Sequence, residues 1–416
     1  MFASAPIRHL ARSEEIFAQG RNFIGINLSV SGQVDVAALS DAFDTLLRVH
    51  PVLTGHLEPT GDGRHQIVAD DYLHPGIWLE KQGDAAPERM PDQSVALVNL
   101  RVKLSNERSD ITLYTHHAMG DGHHQFALLE QLMGWYTDLC TGGDIGPVKA
   151  ESVPQSLEAV LEARGVGKQQ QSGLERLFPA MFAYELPPSR RNPAGGKQLP
   201  VRVPTARCRM TRQETQELRD LCVANRVSLN SVTAAAILLA EWRLRGTPHI
   251  PIPYIYPVDL RYFLTPPVGS TESTNPLGMA TYLAEIKADT DVLSLAREIA
   301  EAFRSDLADG VVQQSLLHYQ LQYEGNPPGL PDVVMATDGG EMPPIRTPDG
   351  LAIEEYSSEV LFASSANVDF YTCCTYDDQL LVEYHTHAPA PAPQRCVDEI
   401  HSILAAAPSQ YRVVTD

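Results

Sequence analysis

A short stretch of the chain, residues 115–124 (THHAMGDGHH), carries four histidines and one aspartate directly after an alternating apolar run. Side chains of these types can transfer protons, bind a metal ion or simply be hydrated, so three interpretations compete. A general base needs one imidazole held in a single orientation. A metal site needs several side chains that converge on one ion. A histidine-rich loop exposed to solvent needs neither.

The elements around this stretch are predicted to hold it at the end of a sheet. Residues 111–114 alternate in hydropathy like a strand, whereas apolar residues from Phe126 to Leu139 recur at helical spacing. The stretch is therefore a strand-to-loop-to-helix junction. Gly120 and Gly122 are expected to provide the permissive backbone of a sharp turn there. Side chains at such a junction lie at the end of a sheet, where ligand sites often form.

The three interpretations do not fit the sequence equally well. The metal motifs HExxH and HxHxDH are absent, and the adjacent His116 and His117 would point to opposite faces of an extended segment. His385 and His387 are the nearest second cluster of histidines. A hydrated loop does not explain why two glycines flank Asp121. A general base explains more, because an imidazole can accept a proton from an alcohol when a nearby carboxylate orients the ring or pins its loop.

The composition narrows the class of protein. The chain has 416 residues, 43% of them hydrophobic, and a formal net charge of −20 at pH 7. Such a charge argues against a nucleic-acid partner. The start lacks the apolar centre of a signal peptide, and the longest apolar run, residues 233–240, is far shorter than the ~20 residues that span a bilayer. We therefore expect the protein in the cytoplasm, either free or peripheral to the inner face of the membrane. Its six cysteines are expected to be reduced.

Strands and helices are interspersed in both halves of the chain, which predicts a mixed α/β (α+β) architecture. A length prior of about 150 residues per domain gives two or three domains. We place an N-terminal domain at residues 1–165, a connecting segment rich in Gly and Pro at 166–200, and a C-terminal domain at 201–416. The last strands of the second half are predicted at residues 333–337, 361–369, 370–376 and 379–385.

The residues at 116–122 (HHAMGDG) match the pattern HHxxxDG. This motif resembles that of the CoA- and carrier-protein-dependent acyltransferases, which include chloramphenicol acetyltransferase and peptide-synthetase condensation domains. Further segments resemble one branch, the polyketide-synthase-associated acyltransferases of mycobacteria, and this resemblance covers essentially the whole chain. The segments that carry it are residues 13–19, 44–53, 111–124, 228–261 and 327–331.

The resemblance implies a fold and a set of site residues. The fold is a pair of chloramphenicol-acetyltransferase-like α/β sandwich domains with the active-site channel at their interface. His117 is implied as the general base that deprotonates a hydroxyl for direct attack on an acyl thioester, without an acyl-enzyme. Asp121 is implied to hold the loop, and Arg261 is our candidate for its ion-pair partner from the other domain. The remaining expected site residues are the supporting His116 and Gly122, and Asn275 as a candidate for binding the substrate oxyanion.

The same resemblance implies the substrates and partners. The donor would be a long, methyl-branched acyl group of the mycocerosic type, carried as a phosphopantetheine thioester. Its carrier would be the acyl carrier domain of a mycocerosic acid synthase-type polyketide synthase, or CoA. The acceptor would be a long-chain diol of the phthiocerol type, esterified twice. No tightly bound cofactor and no metal are expected, and the protein is expected to be a monomer. The alternative functions are acyl transfer to another alcohol acceptor by a related acyltransferase, amide-forming condensation, and a catalytically inactive carrier-binding module.

An acidic carrier needs a local basic surface on a protein whose own net charge is −20. Two candidate docking patches stand out in the sequence. One is Arg190, Arg191 and Lys197 in the connecting segment, and the other is Arg243 and Arg245 near the end of an apolar helix. His123 and His124, at the start of the helix after the motif, are expected to pack in the core or line the channel.

Overall fold

Two six-stranded sheets, each covered by helices, organise the molecule. It was analysed as a computed structural model, and the residues that it describes are 6–69, 74–81, 89–177, 183–184, 200–318, 332–362 and 369–411. The strands are β1 (Pro6–His9), β2 (Phe23–Ser31), β3 (His56–Pro59), β4 (His65–Val68), β5 (Ile77–Lys81), β6 (Val98–Leu104), β7 (Arg108–His116), β8 (Val201–Arg202), β9 (Thr205–Arg209), β10 (Ile252–Asp259), β11 (Leu277–Ala284), β12 (Val334–Glu341), β13 (Ala352–Phe362), β14 (Asp369–Tyr376) and β15 (Gln379–Thr386).

The helices fall between these strands throughout the described ranges. They are α1 (Arg12–Gln19), α2 (Val36–Val49), α3 (Gly122–Cys140), α4 (Leu157–Ala163), α5 (Arg212–Asn225), α6 (Leu229–Arg245), α7 (Val292–Ala308), α8 (Val311–Gln314) and α9 (Ala392–Gln410). Short 3-10 helices are Pro51–Thr54, Leu174–Leu177, Leu260–Tyr262 and Ser315–His318. The predicted mixed α/β architecture is confirmed.

The first sheet has the strand order β5-β6-β7-β2-β13-β8, and β1, β4 and β3 form a small sheet of their own. Alternate residues of the central strands face the helices, as Ile26, Leu28 and Leu113 do in a core that also contains residues of α2 and α3. This face has the period of two that a half-buried strand requires. The end of β7, which leads into the motif, is thereby fixed against β2 and β6.

One strand of the first sheet comes from the second half of the chain. β13 pairs antiparallel with β2 and with β8, so the chain crosses back to complete the sheet. The predicted strand at 361–369 differs from this, because β13 begins at Ala352 and ends at Phe362, and residues 363–368 lie outside the described ranges. The sequence did not predict the first part of this strand, because Ser357 and Glu359 face buried polar groups such as Arg101. The strand therefore lacks the alternation of apolar and polar residues.

The second sheet has the order β11-β10-β12-β14-β15-β9 and is mixed, with parallel pairs between β10, β12 and β14. One face packs on α5, α6, α7 and α9 in a second core. α6 is apolar around most of its circumference, and residues 231–241 are all buried, as expected for a helix enclosed on every side. Cys374 and Leu381 on the opposite face belong to the first core, so the two lobes pack directly on each other.

The proposed division at residues 166–200 remains a prediction, because residues 178–182 and 185–199 lie outside the described ranges. In the part of the chain that the structure describes, no single helix has the length and hydropathy to cross a bilayer. α5 and α6 reach that threshold only as a pair, and the pair is bent by 107°.

Candidate active site

The second histidine of the motif, His117, lies immediately after β7. Its backbone N–H donates to the carbonyl oxygen of Asn22, with an N–O distance of 2.8 Å. Its ring stacks on the ring of Phe17 in α1, with centroids 4.0 Å apart and planes inclined by 11°. Backbone and ring are therefore both held, and the imidazole has little freedom to rotate.

Asn275 fixes both the orientation and the tautomer of this ring. Its Nδ2 donates to the backbone oxygen of His117 at 2.8 Å, so its Oδ1 is the atom that faces the imidazole. That Oδ1 lies 3.1 Å from Nδ1 of His117, and a carbonyl oxygen can only accept a hydrogen bond. Nδ1 therefore carries the proton in the neutral ring, and Nε2 is left with the lone pair that a general base needs.

The electrostatic surroundings keep the His117 ring neutral. Burial lowers the pKa of the imidazole from its ordinary value of 6.5, although its own backbone carbonyl, the Asp121 charge and the Asn275 hydrogen bond act in the opposite direction. Burial dominates because taking a cation out of water is costly. At neutral pH the ring is consequently a proton acceptor.

Asp121 joins the motif loop to the second lobe. It caps the N-terminus of α3, where Oδ1 accepts from the backbone N–H of His124 at 2.9 Å. Both of its oxygens also accept from the Arg261 guanidinium, at 2.7 and 3.0 Å. Burial alone would raise the pKa of this carboxyl, but the charge and hydrogen bonds of Arg261, together with the His124 N–H, outweigh burial and lower it. The ion pair predicted between Asp121 and Arg261 is confirmed.

The segment 273–275 of the second lobe is bonded to the motif along its length. The backbone N–H of Asp121 donates to the carbonyl of Thr274 at 3.0 Å, and Nδ1 of His124 lies 3.0 Å from the carbonyl oxygen of Ser273. The Thr274 hydroxyl in turn donates to Glu14 of α1 at 2.8 Å. His124 is thus a buried packing residue, and burial lowers its pKa to about 4.

His116 faces away from His117 into the core. Its Nε2 lies 2.9 Å from Oε1 of Gln93, its Nδ1 accepts from the backbone N–H of Ala118 at 3.2 Å, and its ring is edge-on to Phe23. Burial lowers the pKa of His116 to about 3. A neutral, fully bonded ring of this kind supports the loop and has no lone pair left for substrate.

The glycines of the motif do not act as predicted. Neither Gly120 nor Gly122 has a positive φ, so the turn does not need left-handed backbone. Gly120 is closely packed, because a Cβ there would lie 3.1 Å from Cγ of His124 and that side chain would have to shift slightly. A Cβ on Gly122 would meet no atom within 4 Å. Gly122 instead leaves open space beside the start of α3.

Two contacts to the motif have no counterpart in the sequence analysis, namely Phe17 on His117 and Gln93 on His116. Phe17 lies in the segment 13–19 that carries the resemblance, which was the one available signal. Asn275 bonds to His117 through both ends of its amide, so it positions the base. This uses one of the two N–H donors of Nδ2, and the expected contact of Asn275 with an oxyanion stays a prediction.

The remaining predicted residues lie away from this cluster. His385 is buried, and its two ring nitrogens are bonded to Thr205 and Thr372. No group of three or more His, Cys, Asp or Glu side chains in the described ranges is arranged to hold a metal ion. Of the two docking patches, Arg190, Arg191 and Lys197 lie outside those ranges.

Comparisons with known proteins agree with this arrangement. Residues 199–385 match the family described as phthiocerol/phthiodiolone dimycocerosyl transferase C-terminus. A phthiocerol/phthiodiolone dimycocerosyl transferase from Mycobacterium sp. (strain JLS) is 47% identical over 411 residues, which cover 99% of both chains.

Solved structures give the same result. Polyketide synthase associated protein 5 from Mycobacterium tuberculosis superimposes with a TM-score of 0.90 and 46% identity, over 98% of this chain and 100% of that one. Trichothecene 15-O-acetyltransferase from Fusarium sporotrichioides has a TM-score of 0.72 at 12% identity, over 96% of this chain and 94% of that one. The second likeness is one of fold alone, and it places the molecule among two-lobed acyltransferase folds.

Proposed function

This chain belongs to the phthiocerol/phthiodiolone dimycocerosyl transferase family of acyltransferases, and we propose that it transfers a long fatty acyl group from a thioester to the hydroxyls of a long-chain diol. The names of its relatives support the diol and the mycocerosic-type acyl chain. The observation that carries the chemical part is the pair of hydrogen bonds between Asn275 and His117, one donated by Nδ2 and one accepted by Oδ1, which leaves Nε2 of His117 as a proton acceptor.

The proposed reaction is a direct transfer. Nε2 of His117 takes the hydroxyl proton as the alcohol oxygen bonds to the thioester carbonyl carbon. The tetrahedral intermediate then expels the sulfur as its C–S bond breaks, and the proton on Nε2 goes to the thiolate. Ester and free thiol are the products, so atoms balance without a metal, a redox partner or an acyl-enzyme. A diol returns for a second cycle as the monoester.

Acyl transfer is tested most directly by its products. The protein is incubated with palmitoyl-CoA and a panel of long-chain alcohols, diols and amines, and the products are identified by mass spectrometry. We expect esters of the alcohols and both mono- and diesters of the diols. Amides formed in preference to esters, or free palmitate as the sole product, would contradict the proposal.

The pH dependence of kcat/KM follows from the lowered pKa of His117. A base acts in its deprotonated form, so the rate rises with pH and then reaches a plateau. Because the pKa lies below the ordinary 6.5, we expect the half-maximal rate below pH 6.5. The profile is measured with palmitoyl-CoA and a long-chain alcohol, and a midpoint above pH 6.5 would contradict the role given to His117.

Asn275→Ala is expected to lower kcat by about 10- to 100-fold, since a misplaced catalytic group commonly has an effect of this size. Asn275→Asp tests positioning more finely. Its carboxylate can still accept from Nδ1 and would stabilise the imidazolium, so the midpoint of the pH profile should move upward. Asn225→Ala is the matched control, because it removes a similar side-chain bond to a backbone carbonyl, that of Leu221, away from the site. If all three variants behave alike, Asn275 has no positioning role.

We also propose that the acyl carrier domain docks near Arg243, which is exposed at the end of α6 and paired with Glu399 at 2.5 Å. Arg245 is less suitable, since its side chain is 13% exposed, against 49% for Arg243, and it also donates to the backbone of Asp332. Arg243→Glu should lower kcat/KM about tenfold with a carrier-bound donor, through the association rate, and leave palmitoyl-CoA unaffected. Arg304→Glu, at an exposed position of α7, is the control. Equal losses with both donors would contradict docking at Arg243.

A further inference from the structure

The first turn of α1 contains a fully buried carboxylate, that of Glu14, which the proposed reaction does not use. Phe17, whose ring stacks on that of His117, lies one turn further along the same helix. Residues with this spacing are neighbours on the surface of a helix. Glu14 therefore lies on the side of α1 that holds the proposed base.

Hydrogen bonds from separate parts of the chain converge on this carboxylate. Its Oε2 accepts from Nη1 of Arg8 at 2.6 Å and from the backbone N–H of Ala11 at 2.8 Å. Its Oε1 accepts from Nη2 of Arg8 at 2.8 Å and from the hydroxyl of Thr274 at 2.8 Å. A carboxylate offers about four lone-pair sites, so these donors satisfy it. A buried charge that is paired and bonded in this way is held firmly in place.

Thr274, the partner of Glu14 in the second lobe, is also fully buried and is held on three sides. Its hydroxyl donates to Glu14. Its backbone N–H donates to the carbonyl of Gln155 at 2.9 Å, and its own carbonyl accepts from the backbone N–H of Asp121 at 3.0 Å. The next residue is Asn275, whose amide bonds to the proposed base at both ends. The position of Asn275 therefore depends on how Thr274 is held.

Building on the proposed function, we propose that Glu14 and Thr274 are positioning residues whose hydrogen bond fixes the two groups that hold the ring of His117. One of these groups is Phe17, on the same helix as Glu14. The other is Asn275, next to Thr274. The imidazole lies between them, with its centroid 4.0 Å from that of the phenyl ring and its Nδ1 3.1 Å from the amide oxygen. The bond thereby sets the direction in which Nε2 meets the alcohol.

A helix cap is the competing assignment for Glu14. A glutamate in the first turn commonly bonds back to the backbone and favours the helix dipole, and the bond from Ala11 is of this kind. A cap needs neither full burial nor a partner in the other lobe. Thr274, however, lies 260 positions further along the chain. Loss of the Thr274 bond alone therefore distinguishes positioning from capping.

Thr274→Val removes the hydroxyl and keeps both backbone bonds. With palmitoyl-CoA and hexadecan-1-ol, we expect kcat to fall about tenfold, because a small misplacement of a catalytic group is costly, while KM for palmitoyl-CoA stays similar. Thr274→Ser restores the donor and should recover most of the lost rate. Thr215→Val is the matched control, since Thr215 is also fully buried and accepts from the N–H of Leu380 at 3.0 Å. Leu380 lies on β15, four strands from β11 in the second sheet, so kcat should be unchanged.

Two neighbouring carboxylates of α1 provide a second comparison. Glu14→Gln removes the charge and one oxygen acceptor, and it should also lower kcat about tenfold. Glu15 is equally buried but bonds to His65 instead, accepting from its backbone N–H at 2.7 Å and lying 2.9 Å from its Nδ1. Glu15→Gln should therefore lower the unfolding temperature, as Glu14→Gln does, but leave kcat nearly unchanged.

A double-variant cycle identifies the group through which Thr274 acts. In Asn275→Ala one side of the clamp is already missing, so adding Thr274→Val should lower kcat by less than about twofold instead of tenfold. A tenfold loss in both backgrounds would overturn the proposal, since Thr274 would then act independently of Asn275. The unfolding temperature of each variant identifies losses caused by misfolding, and Glu14→Gln remains as a test if Thr274→Val does not fold.

Two further results would also overturn the positioning role. One is an unchanged kcat in Thr274→Val and in Glu14→Gln. The other is an equal loss in the controls Thr215→Val and Glu15→Gln. Either result would leave the proposed acyl transfer intact, because the unmodified protein would still form esters. If the unmodified protein forms no ester, the proposed function fails and the positioning role fails with it.

Discussion

Replacing His117 with alanine is expected to lower kcat by about 10²- to 10⁴-fold, the usual contribution of a positioned general base. The structure gives the physical reason. The ring is clamped between Phe17 and Asn275, its proton is confined to Nδ1, and burial keeps it neutral. Without Nε2 the attacking alcohol has no acceptor for its proton in the transition state, whereas binding of the acyl chain should change little, so KM for palmitoyl-CoA should stay similar.

The measurement is steady-state ester formation by the purified variant, followed across pH. The small residual rate of the variant should no longer fall at acidic pH, because that fall comes from protonation of His117. His401→Ala removes a partly exposed histidine next to Glu214, far along the chain from the motif, and should retain full activity. A kcat for His117→Ala within threefold of the unmodified protein would exclude His117 as the base, provided that its unfolding temperature shows a folded protein.

Asp121→Asn should reduce the free energy of unfolding by about 1.5–3 kcal/mol, the range for hydrogen bonds to a charged group. It removes one of the two counter-charges of the buried Arg261 guanidinium and leaves only Asp259. Asparagine can still accept from the His124 N–H, so the N-terminal cap of α3 is kept. The loss of stability then comes from the ion pair and not from the cap. The motif loop and the segment 273–275 should loosen together, since Asp121 and His124 both bond to that segment. We expect kcat to fall as well, while the midpoint of the pH profile stays nearly constant.

The stabilisation by Asp121 should depend on pH in a defined direction. Its pKa in the folded protein is lower than the ordinary 3.8. The stabilising contribution is therefore complete above pH 3.8 and is lost as pH falls through the lower, folded-state pKa. The difference in unfolding free energy between the unmodified protein and Asp121→Asn should accordingly be largest at neutral pH and shrink in acid.

Denaturant unfolding of both proteins at neutral and acidic pH measures this difference. The double variant Asp121→Asn with Arg261→Met completes a thermodynamic cycle and should be more stable than the sum of the single variants predicts. Both members of the Asp121–Arg261 pair are then absent, and the loss at Asp259 is common to Arg261→Met and the double variant. Unchanged stability combined with a shifted pH profile would instead mean that Asp121 acts on the His117 proton and is not a structural link.

The local chemistry of the site could be predicted from the sequence because the residues that form it are neighbours in the chain. The alternation before Thr115 and the helical spacing after Gly122 predicted the strand-to-helix junction, which is β7 followed by α3. The resemblance of residues 116–122 to the HHxxxDG motif implied the roles of His117 and Asp121. Thr211 with Glu214 three residues later has the sequence pattern of a capping box, and a capping box begins α5. Short-range periodicity predicts such features because each of them arises within a single helix or strand, or at its end.

Other features were decided by the tertiary structure alone. Asn275 and Phe17 contact His117 although they lie 158 and 100 positions away in the chain. No periodic pattern in the sequence predicts such a contact. β13 was misplaced because its residues Ser357 and Glu359 face buried polar partners instead of alternating apolar with polar. Burial and hydrogen bonding between distant segments set the tautomer, the charge and the pKa of each group, and these quantities determine the chemistry.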